Sequence, residues 1–191
     1  MYADKPRMNL SVRTANEEDF ATIVNYFLKA DEAFLRNMGA DIAKLPKREE
    51  WRQLLAEDFQ KPPEEKEFFY VIWQMNGVPV GHSNINKILF EEEAYMHLHI
   101  WSAENRKAGA GVQLVQQSLP YYFSIFKLKN LYCEPYAFNA APNKALAKVG
   151  FDFIKQYETT PGWINFHQVV NRWCMPVEKF QSLQLKKISV L

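Results

Sequence analysis

The chain has 191 residues, a formal net charge of +1 and 48% hydrophobic residues, so we expect one domain with a substantial core. This near balance of charge argues against binding nucleic acid through a bulk electrostatic field. No apolar run reaches the roughly 20 residues that span a bilayer, the N-terminus lacks the apolar core of a signal peptide, and Cys133 and Cys174 form no disulfide framework. We therefore expect a cytoplasmic protein without nucleic-acid or membrane partners.

The first third of the chain is predicted to contain a short strand and two helices. Residues 10–13 favour the strand. The first helix should begin at Thr14 or Asn16, because either side chain can cap it and acidic residues fill the first turn. The second helix is predicted over residues 49–59 from its apolar stripe. Residues 31–43 favour no particular element.

From residue 67 the apolar pattern changes from a helical period to alternation, which predicts strands. Strands over 68–75 and 78–90 flank Asn76-Gly77, a strong hairpin signal because both residues tolerate positive φ. A third strand over 94–101 follows an acidic turn. The three strands are expected to form an antiparallel meander.

The last part of the chain alternates between helices and strands. The predicted elements are a helix over 109–126, a strand over 129–134, a helix over 142–149 ending at Gly150, and strands over 151–158 and 165–174. Pro120 should kink the first of these helices or split it after Leu119. The strand that follows should lie parallel to the strand before the helix. The whole order predicts an α+β fold around a mixed sheet.

The stretch from Tyr95 to Val112 has the most informative pattern. Alternation predicts a strand with one face formed by Tyr95, His97, His99 and Trp101. Basic and small residues follow at Arg106, Lys107, Gly109 and Gly111, where the next helix begins. A small-residue turn at a helix start exposes backbone N–H groups, and the helix dipole adds positive potential. The stretch therefore predicts an anion site, with two histidines upstream on one strand face.

Two other interpretations of the glycine turn compete with a phosphate site. One is an ordinary basic loop, since short glycine motifs have many false positives. The other is a dinucleotide-binding fold, but Leu114 stands where its fingerprint needs a third glycine. The antiparallel hairpin just upstream also does not suit a βαβ unit.

Two motifs resemble the GNAT superfamily of acetyl-CoA-dependent N-acetyltransferases. Arg106-x-x-Gly109-x-Gly111 resembles the pyrophosphate loop of that family, and Asn139 followed eleven residues later by Gly150-Phe151 resembles its second motif. The order of elements agrees from about residue 10 to 174. The resemblance implies a GNAT fold, with a mixed, mostly antiparallel sheet of six to seven strands flanked by helices. It also implies one N-acetyltransferase domain with a core over about 10–175 and a tail over 176–191.

The resemblance implies acetyl-CoA as the co-substrate and no metal. Its pyrophosphate would bind the backbone N–H groups of residues 107–112, and its pantetheine arm would hydrogen-bond like an added strand to residues 100–102. For this, the strands of Trp101 and Tyr132 must splay apart. The implied cofactor residues are Ile100, Trp101, Ser102, Arg106, Lys107, Ala108, Gly109, Ala110, Gly111, Val112, Asn139 and Asn143.

The reaction implied by the resemblance is direct attack of an amine on a thioester, which requires a base. His97 lies nine residues before Arg106, where arylalkylamine N-acetyltransferases also carry a histidine, and His99 is the second candidate. The competing interpretation makes both histidines structural. In many family members, a tyrosine seven residues after the asparagine that corresponds to Asn139 is the general acid, but this position is Leu146 here. Tyr136 or water could replace it, or no acid is needed.

The sequence indicates the branch of the superfamily and the acceptor of the acetyl group less clearly. His97-x-x-Ile100 with Glu134-Pro135 resembles siderophore-type hydroxylamine acyltransferases, whereas Asn139-x-x-Pro142-Asn143 resembles the ribosomal-protein N-terminal branch. The acceptor is expected to be a small-molecule or peptide amine, and a homodimer would be in keeping with the family. Predicted acceptor residues are Phe34, Tyr95, Trp163 and Phe166. Since Leu146 replaces the usual acid, a non-catalytic acyl-CoA-binding module is the alternative.

Overall fold

Seven strands form one mixed sheet in the computed structural model, which describes residues 8–106 and 109–188. The strands are β1 (Leu10–Thr14), β2 (Phe68–Met75), β3 (Val78–Leu89), β4 (Glu93–Ile100), β5 (Asn130–Cys133), β6 (Asp152–Thr159) and β7 (Gln168–Pro176). Their order across the sheet is β1-β2-β3-β4-β5-β7-β6. β4 and β5 pair in parallel, and the other neighbouring strands pair antiparallel. This confirms the predicted meander and the mixed α+β sheet.

Helices cover both faces of the sheet in the described part of the chain. They are α1 (Glu17–Leu28), α2 (Glu32–Asn37), α3 (Arg48–Phe59), α4 (Ala110–Phe126), α5 (Ala140–Val149) and α6 (Val177–Ile188). The N-cap of α1 is Asn16, one of the two residues predicted for this position. The Asp19 carboxylate accepts the Asn16 N–H at 2.9 Å. α2 forms where the sequence favoured no element, because the Asp31 side chain caps it by accepting the Phe34 N–H at 2.8 Å.

α4 continues through Pro120, so the predicted split after Leu119 is wrong. A proline inside a helix costs about 3 kcal/mol through its lost hydrogen bond and its ring clash. The apolar residues on both sides of it, including Leu114, Tyr122 and Phe126, are completely buried against the sheet. Their burial, at about 1.5–3 kcal/mol for each side chain, outweighs that cost.

Within the C-terminal segment predicted to be a tail outside the core, Val177–Ile188 form helix α6, which packs on the core. Phe180 is buried, and its ring stacks on Phe123 with centroids 4.4 Å apart. The Val177 N–H donates to the Lys129 carbonyl at 2.8 Å. These contacts attach α6 to α4 and to the segment before β5.

Alternation along the strands divides the core into two layers. Met96 on β4 and Trp73 on β2 join the layer beneath α4, whereas Ile72 on β2 joins the layer beneath α1 and α3. His97 and His99, which alternate with Met96, consequently lie on the α1–α3 side of the sheet. Within residues 8–106 and 109–188, no helix is both long and apolar enough to cross a membrane.

Candidate active site

The parallel strands β4 and β5 separate beyond Tyr95. Their register pairs Glu93 with Asn130, Ala94 with Leu131 and Tyr95 with Tyr132, after which β4 runs on to Ile100 without a β5 partner. The predicted splay between these strands is therefore confirmed. A cavity of about 80 Å³ lies in the opening, and we call it the arm cavity. Its wall residues include Met96–His99 from β4 and Cys133–Tyr136 and Asn139 from the β5 side.

Backbone donors face the open side of β4 near its end. The Trp101 N–H donates to the Val80 carbonyl of β3 at 2.9 Å, so it is not available to a ligand. Because successive residues of a strand direct their backbone groups to opposite sides, Ile100 and Ser102 turn theirs away from β3. Of the three residues predicted to hold the pantetheine arm, these two have suitably directed N–H groups.

The N-terminus of α4 has the chemistry of an anion site. Gly109 precedes the helix with φ +82°, a conformation that favours glycine, and the space that a Cβ would occupy is open within 4 Å. The N–H groups of Ala110, Gly111 and Val112 belong to the first turn, which has no intrahelical acceptors for them. The N-cap residue, Gly109, has no side chain that could cap this helix. These donors fit the diphosphate of coenzyme A.

Arg106 lies three residues before Gly109 in the chain and packs against α2. Its guanidinium lies 5.2 Å from the centre of the Phe34 ring, a cation–π contact that places α2 beside the predicted phosphate loop. Phe34 therefore packs against Arg106, and its predicted role in acceptor binding stays a prediction. Lys107 and Ala108, also predicted to bind the cofactor, lie outside the described residues.

His97 lies at the junction of two cavities. It lines the arm cavity and also a second cavity of about 90 Å³ on the α1–α3 side, which we call the acceptor cavity. Its Nε2 lies 3.1 Å from Asn86 Oδ1. Since an amide oxygen only accepts, Nε2 carries the proton and Nδ1 the lone pair. Burial, assisted by the positive charge of Lys87, lowers the pKa of His97 to about 4, so the ring is neutral at neutral pH.

His99 lines the same two cavities as His97, and its ring also contacts a histidine that was not predicted. His82 on β3 is its direct partner in the register, and the two ring centroids are 4.8 Å apart. Trp101 Nε1 donates to His82 Nδ1 at 2.8 Å. Burial lowers the pKa of His82 to about 3 and that of His99 well below its usual value. Buried atoms His82 Nε2 and His99 Nδ1 have no hydrogen-bond partner within the described residues.

The two predicted asparagines have different surroundings. Asn139 is the N-cap residue of α5, its side chain makes no cap hydrogen bond, and it lines the arm cavity. Asn143 donates to the carbonyls of Tyr136 at 3.2 Å and Asn139 at 2.8 Å. Its oxygen accepts from Asn171 and Trp173, each at 2.9 Å. These four bonds saturate the amide, so Asn143 is a structural residue and not a cofactor ligand.

No acid reaches the site from the position where the family's tyrosine is expected. Leu146 is completely buried in the core beneath α4. Tyr136 does line the arm cavity, and its ring contacts Phe166 with centroids 5.9 Å apart. Tyr136 therefore stays the protein's candidate acid, and Phe166 supports it from the loop before β7.

The predicted acceptor residues do not meet in one place. Trp163 lines the acceptor cavity, and its ring contacts Trp51 with centroids 5.8 Å apart. Tyr95 is instead part of a cluster around Arg172, which donates to its hydroxyl. Arg172 Nε also lies 3.0 Å from Glu134 Oε1. Tyr95 thus belongs to a cluster that reaches the arm cavity through Glu134, and its predicted role in acceptor binding stays a prediction.

Comparison with known proteins agrees with the fold. The family described as an acetyltransferase (GNAT) domain matches residues 9–152. No curated protein sequence matches the chain significantly. The chain therefore belongs to the GNAT acetyltransferase family, as its motifs and element order indicated, and is an acyl-CoA-dependent N-acyltransferase by class.

Solved structures with the same fold have low sequence identity to this chain. Spermidine N-acetyltransferase from Vibrio cholerae, in complex with CoA and spermine, is 16% identical with a TM-score of 0.72, over 90% of this chain and 98% of that one. The ribosomal alpha-N-protein acetyltransferase RimL, in complex with coenzyme A, is 16% identical with a TM-score of 0.71, over 89% and 95%. Aminoglycoside acetyltransferase AAC(6')-Ib, with coenzyme A, is 14% identical with a TM-score of 0.67, over 92% and 99%.

Proposed function

We propose that the chain is a cytoplasmic single-domain enzyme that transfers the acetyl group of acetyl-CoA to a primary amine. The observation that carries this proposal is the position of His97, a neutral imidazole that lines both the arm cavity and the acceptor cavity and is oriented by Asn86. A base in this position can contact both the thioester in the arm cavity and the amine in the acceptor cavity. His99 lines the same two cavities, but its ring packs against Phe27 and His82. The coenzyme A complexes of the fold neighbours support the choice of co-substrate.

The chain offers a continuous set of groups for the co-substrate. The N–H groups of the first turn of α4, opened by Gly109 and assisted by Arg106, would bind the diphosphate. The N–H groups of Ile100 and Ser102 and the side chain of Asn139 would hold the amides of the arm in the splay. The thioester would then lie at the inner end of the arm cavity, beside His97.

Acetyl-CoA supplies an acetyl group already activated as a thioester. The amine nitrogen attacks the thioester carbonyl carbon, the new C–N bond forms, and the C–S bond breaks as the thiolate leaves. His97 Nδ1 takes the proton that the attacking nitrogen loses, directly or through a water. The thiolate is stable enough to leave unprotonated and takes its proton from Tyr136 or solvent.

A pKa of about 4 decides how His97 can act. Such an imidazole is too weak a base to deprotonate a free alkylammonium ion. It is, however, neutral and ready to accept the proton that becomes acidic once the nitrogen bonds to the carbonyl carbon. We therefore propose that the amine enters the site as the free base and that His97 acts after the attack begins.

Substitution of His97 with Gln tests this role. The Gln side-chain amide can still donate to Asn86 but has no basic nitrogen. We expect turnover, measured as CoA thiol release, to fall by about 10²- to 10⁴-fold. The rise in melting temperature caused by acetyl-CoA should persist. Unchanged turnover with an unchanged pH profile would show that His97 is not the base.

A non-catalytic acyl-CoA-binding module is the second candidate, and the buried Leu146 favours it because it occupies the position of the family's tyrosine and cannot act as an acid. Both candidates predict stabilisation by acetyl-CoA. Only the enzyme predicts release of CoA thiol with a panel of amines. A protein that acetyl-CoA does not stabilise would contradict both.

A further inference from the structure

The acceptor cavity has an aromatic and uncharged lining. Its aromatic walls are Phe27, Trp51, Phe68, Tyr70 and Trp163. Its polar lining consists of asparagines and of His97 and His99, whose lowered pKa keeps them neutral. Among the described residues that line this cavity, none carries a carboxylate. A second ammonium group on a bound acceptor would therefore lose its hydration without gaining a counter-ion, which is costly.

Cations also stand around this cavity. Lys44 Nζ donates to the carbonyl of Asn165, a lining residue, at 2.6 Å. The charge of Lys87 is close enough to His97 to help lower its pKa. These like charges oppose the entry of a polycation.

The carboxylates of the neighbouring cavities are already neutralised. Glu134 of the arm cavity has a side chain only 4% exposed, pairs with Arg172 at 3.0 Å and accepts a hydrogen bond from the Tyr157 hydroxyl. It therefore offers an incoming ammonium group no unpaired charge. Attraction of a second positive charge from the arm-cavity side is thus not expected.

Additional apolar room adjoins the acceptor cavity. A cavity of about 230 Å³ between α1, α3 and the start of β2 shares Phe68 and Tyr70 with it. The one carboxylate on its described walls, Asp58, accepts the N–H groups of Glu67 at 2.8 Å and Phe68 at 3.0 Å and lies 3.4 Å from Lys61 Nζ. This extension favours an apolar part of the acceptor.

We infer that the acceptor is a primary amine with one amino group, bound as the free base, and an uncharged aromatic or apolar body, and that polyamines are discriminated against. The inference rests on the proposed function and names its substrate class. It separates this chain from the spermidine acetyltransferase that shares its fold, because the cavity lacks carboxylates to hold a second ammonium group. The amine loses one proton to His97, its nitrogen joins the acetyl carbon, and CoA leaves as the thiolate.

The test compares amines of similar reach and different charge with the full chain and acetyl-CoA. Phenethylamine and hexylamine represent the proposed class, and spermidine and kanamycin represent polycations. We expect kcat/KM, measured as CoA thiol release, to be at least about tenfold higher for the monoamines, the ratio that 1.4 kcal/mol of differential binding produces.

Trp163→Asp tests the cause of the preference. Trp163 is 46% exposed at the cavity wall, so the change should be tolerated by the fold. Its matched control is Trp163→Asn, which has the same shape without the charge. We expect the aspartate variant alone to raise the kcat/KM ratio of spermidine to phenethylamine, by about tenfold or more.

The outcomes separate the two levels of the proposal. Spermidine or kanamycin turned over as well as the monoamines would overturn the acceptor class and leave the acetyltransferase function intact. Stabilisation by acetyl-CoA without turnover of either monoamine would also overturn the proposed acceptor class. No stabilisation and no thiol release with any amine would overturn the proposed function itself. Equal ratios in the two Trp163 variants would refute the electrostatic cause.

Discussion

The buried imidazole of His82 should make the stability of this protein depend strongly on pH. The ring is completely buried among the aromatic rings of Phe27, Tyr70 and Trp101. Burial lowers its pKa from 6.5 to about 3. The unfolded chain therefore binds a proton between these two values that the folded chain does not. The stabilisation is fully present above the unfolded pKa of 6.5 and is lost as pH falls through this window.

The size of the effect follows from the two pKa values. Each pH unit below 6.5 costs about 1.36 kcal/mol as long as the folded ring stays neutral. Between about pH 7.5 and about pH 5, the contribution of His82 amounts to about 2 kcal/mol. The part-buried histidines His97 and His99 add losses of the same sign because their pKa values are also lowered.

Two variants isolate the contribution of His82. His82→Asn keeps a hydrogen-bond acceptor for Trp101 Nε1, whereas His82→Phe keeps an aromatic ring that has no such acceptor. The two variants should therefore lose different amounts of stability at neutral pH. Neither can titrate. Urea unfolding at both pH values should show that each variant loses about 2 kcal/mol less than the wild type on acidification. If both variants lose as much as the wild type, burial of a neutral His82 is not a source of acid sensitivity.

Two further substitutions test the cofactor turn and the C-terminal helix. Gly109→Ala should cost about 1–2 kcal/mol in the left-handed conformation and, since its methyl group enters the open space before α4, should also reduce the rise in melting temperature with acetyl-CoA. A variant that acetyl-CoA stabilises as strongly as the wild type would place the diphosphate elsewhere. Phe180→Ala should lower the free energy of unfolding in urea by about 3–5 kcal/mol, because the ring is buried against Phe123. A loss below about 1 kcal/mol would contradict this packing.

Local sequence patterns predicted the elements from which the site is built. Strict alternation assigned His97 and His99 to one face of β4, and the Asn76-Gly77 turn predicted the hairpin that precedes it. Both signals are local because side-chain direction in a strand and positive φ in a turn depend on neighbouring residues alone. Arg106 and Gly109 likewise marked the start of α4.

The partners of these residues could not be predicted from local patterns. His82 faces His99 across the sheet only because the register between β3 and β4 shifts between Asn86 and Leu89. A shift of one residue moves a side chain to the other face, and no local signal predicted where this irregularity falls. Asn143 accepts hydrogen bonds from Asn171 and Trp173, which lie in β7, 28 and 30 residues later in the chain.

The sequence by itself determined the class of fold, the phosphate turn and the strand face that carries the histidines, because these depend on periodicity and on single-residue backbone preferences. The tertiary structure alone decided which of these groups are free to act. It placed His97 and His99 at both cavities, packed His99 against His82 and committed Asn143 to hydrogen bonds within the protein. Burial and hydrogen-bond saturation are properties of packed neighbours, and packing brings together residues that are distant in the chain.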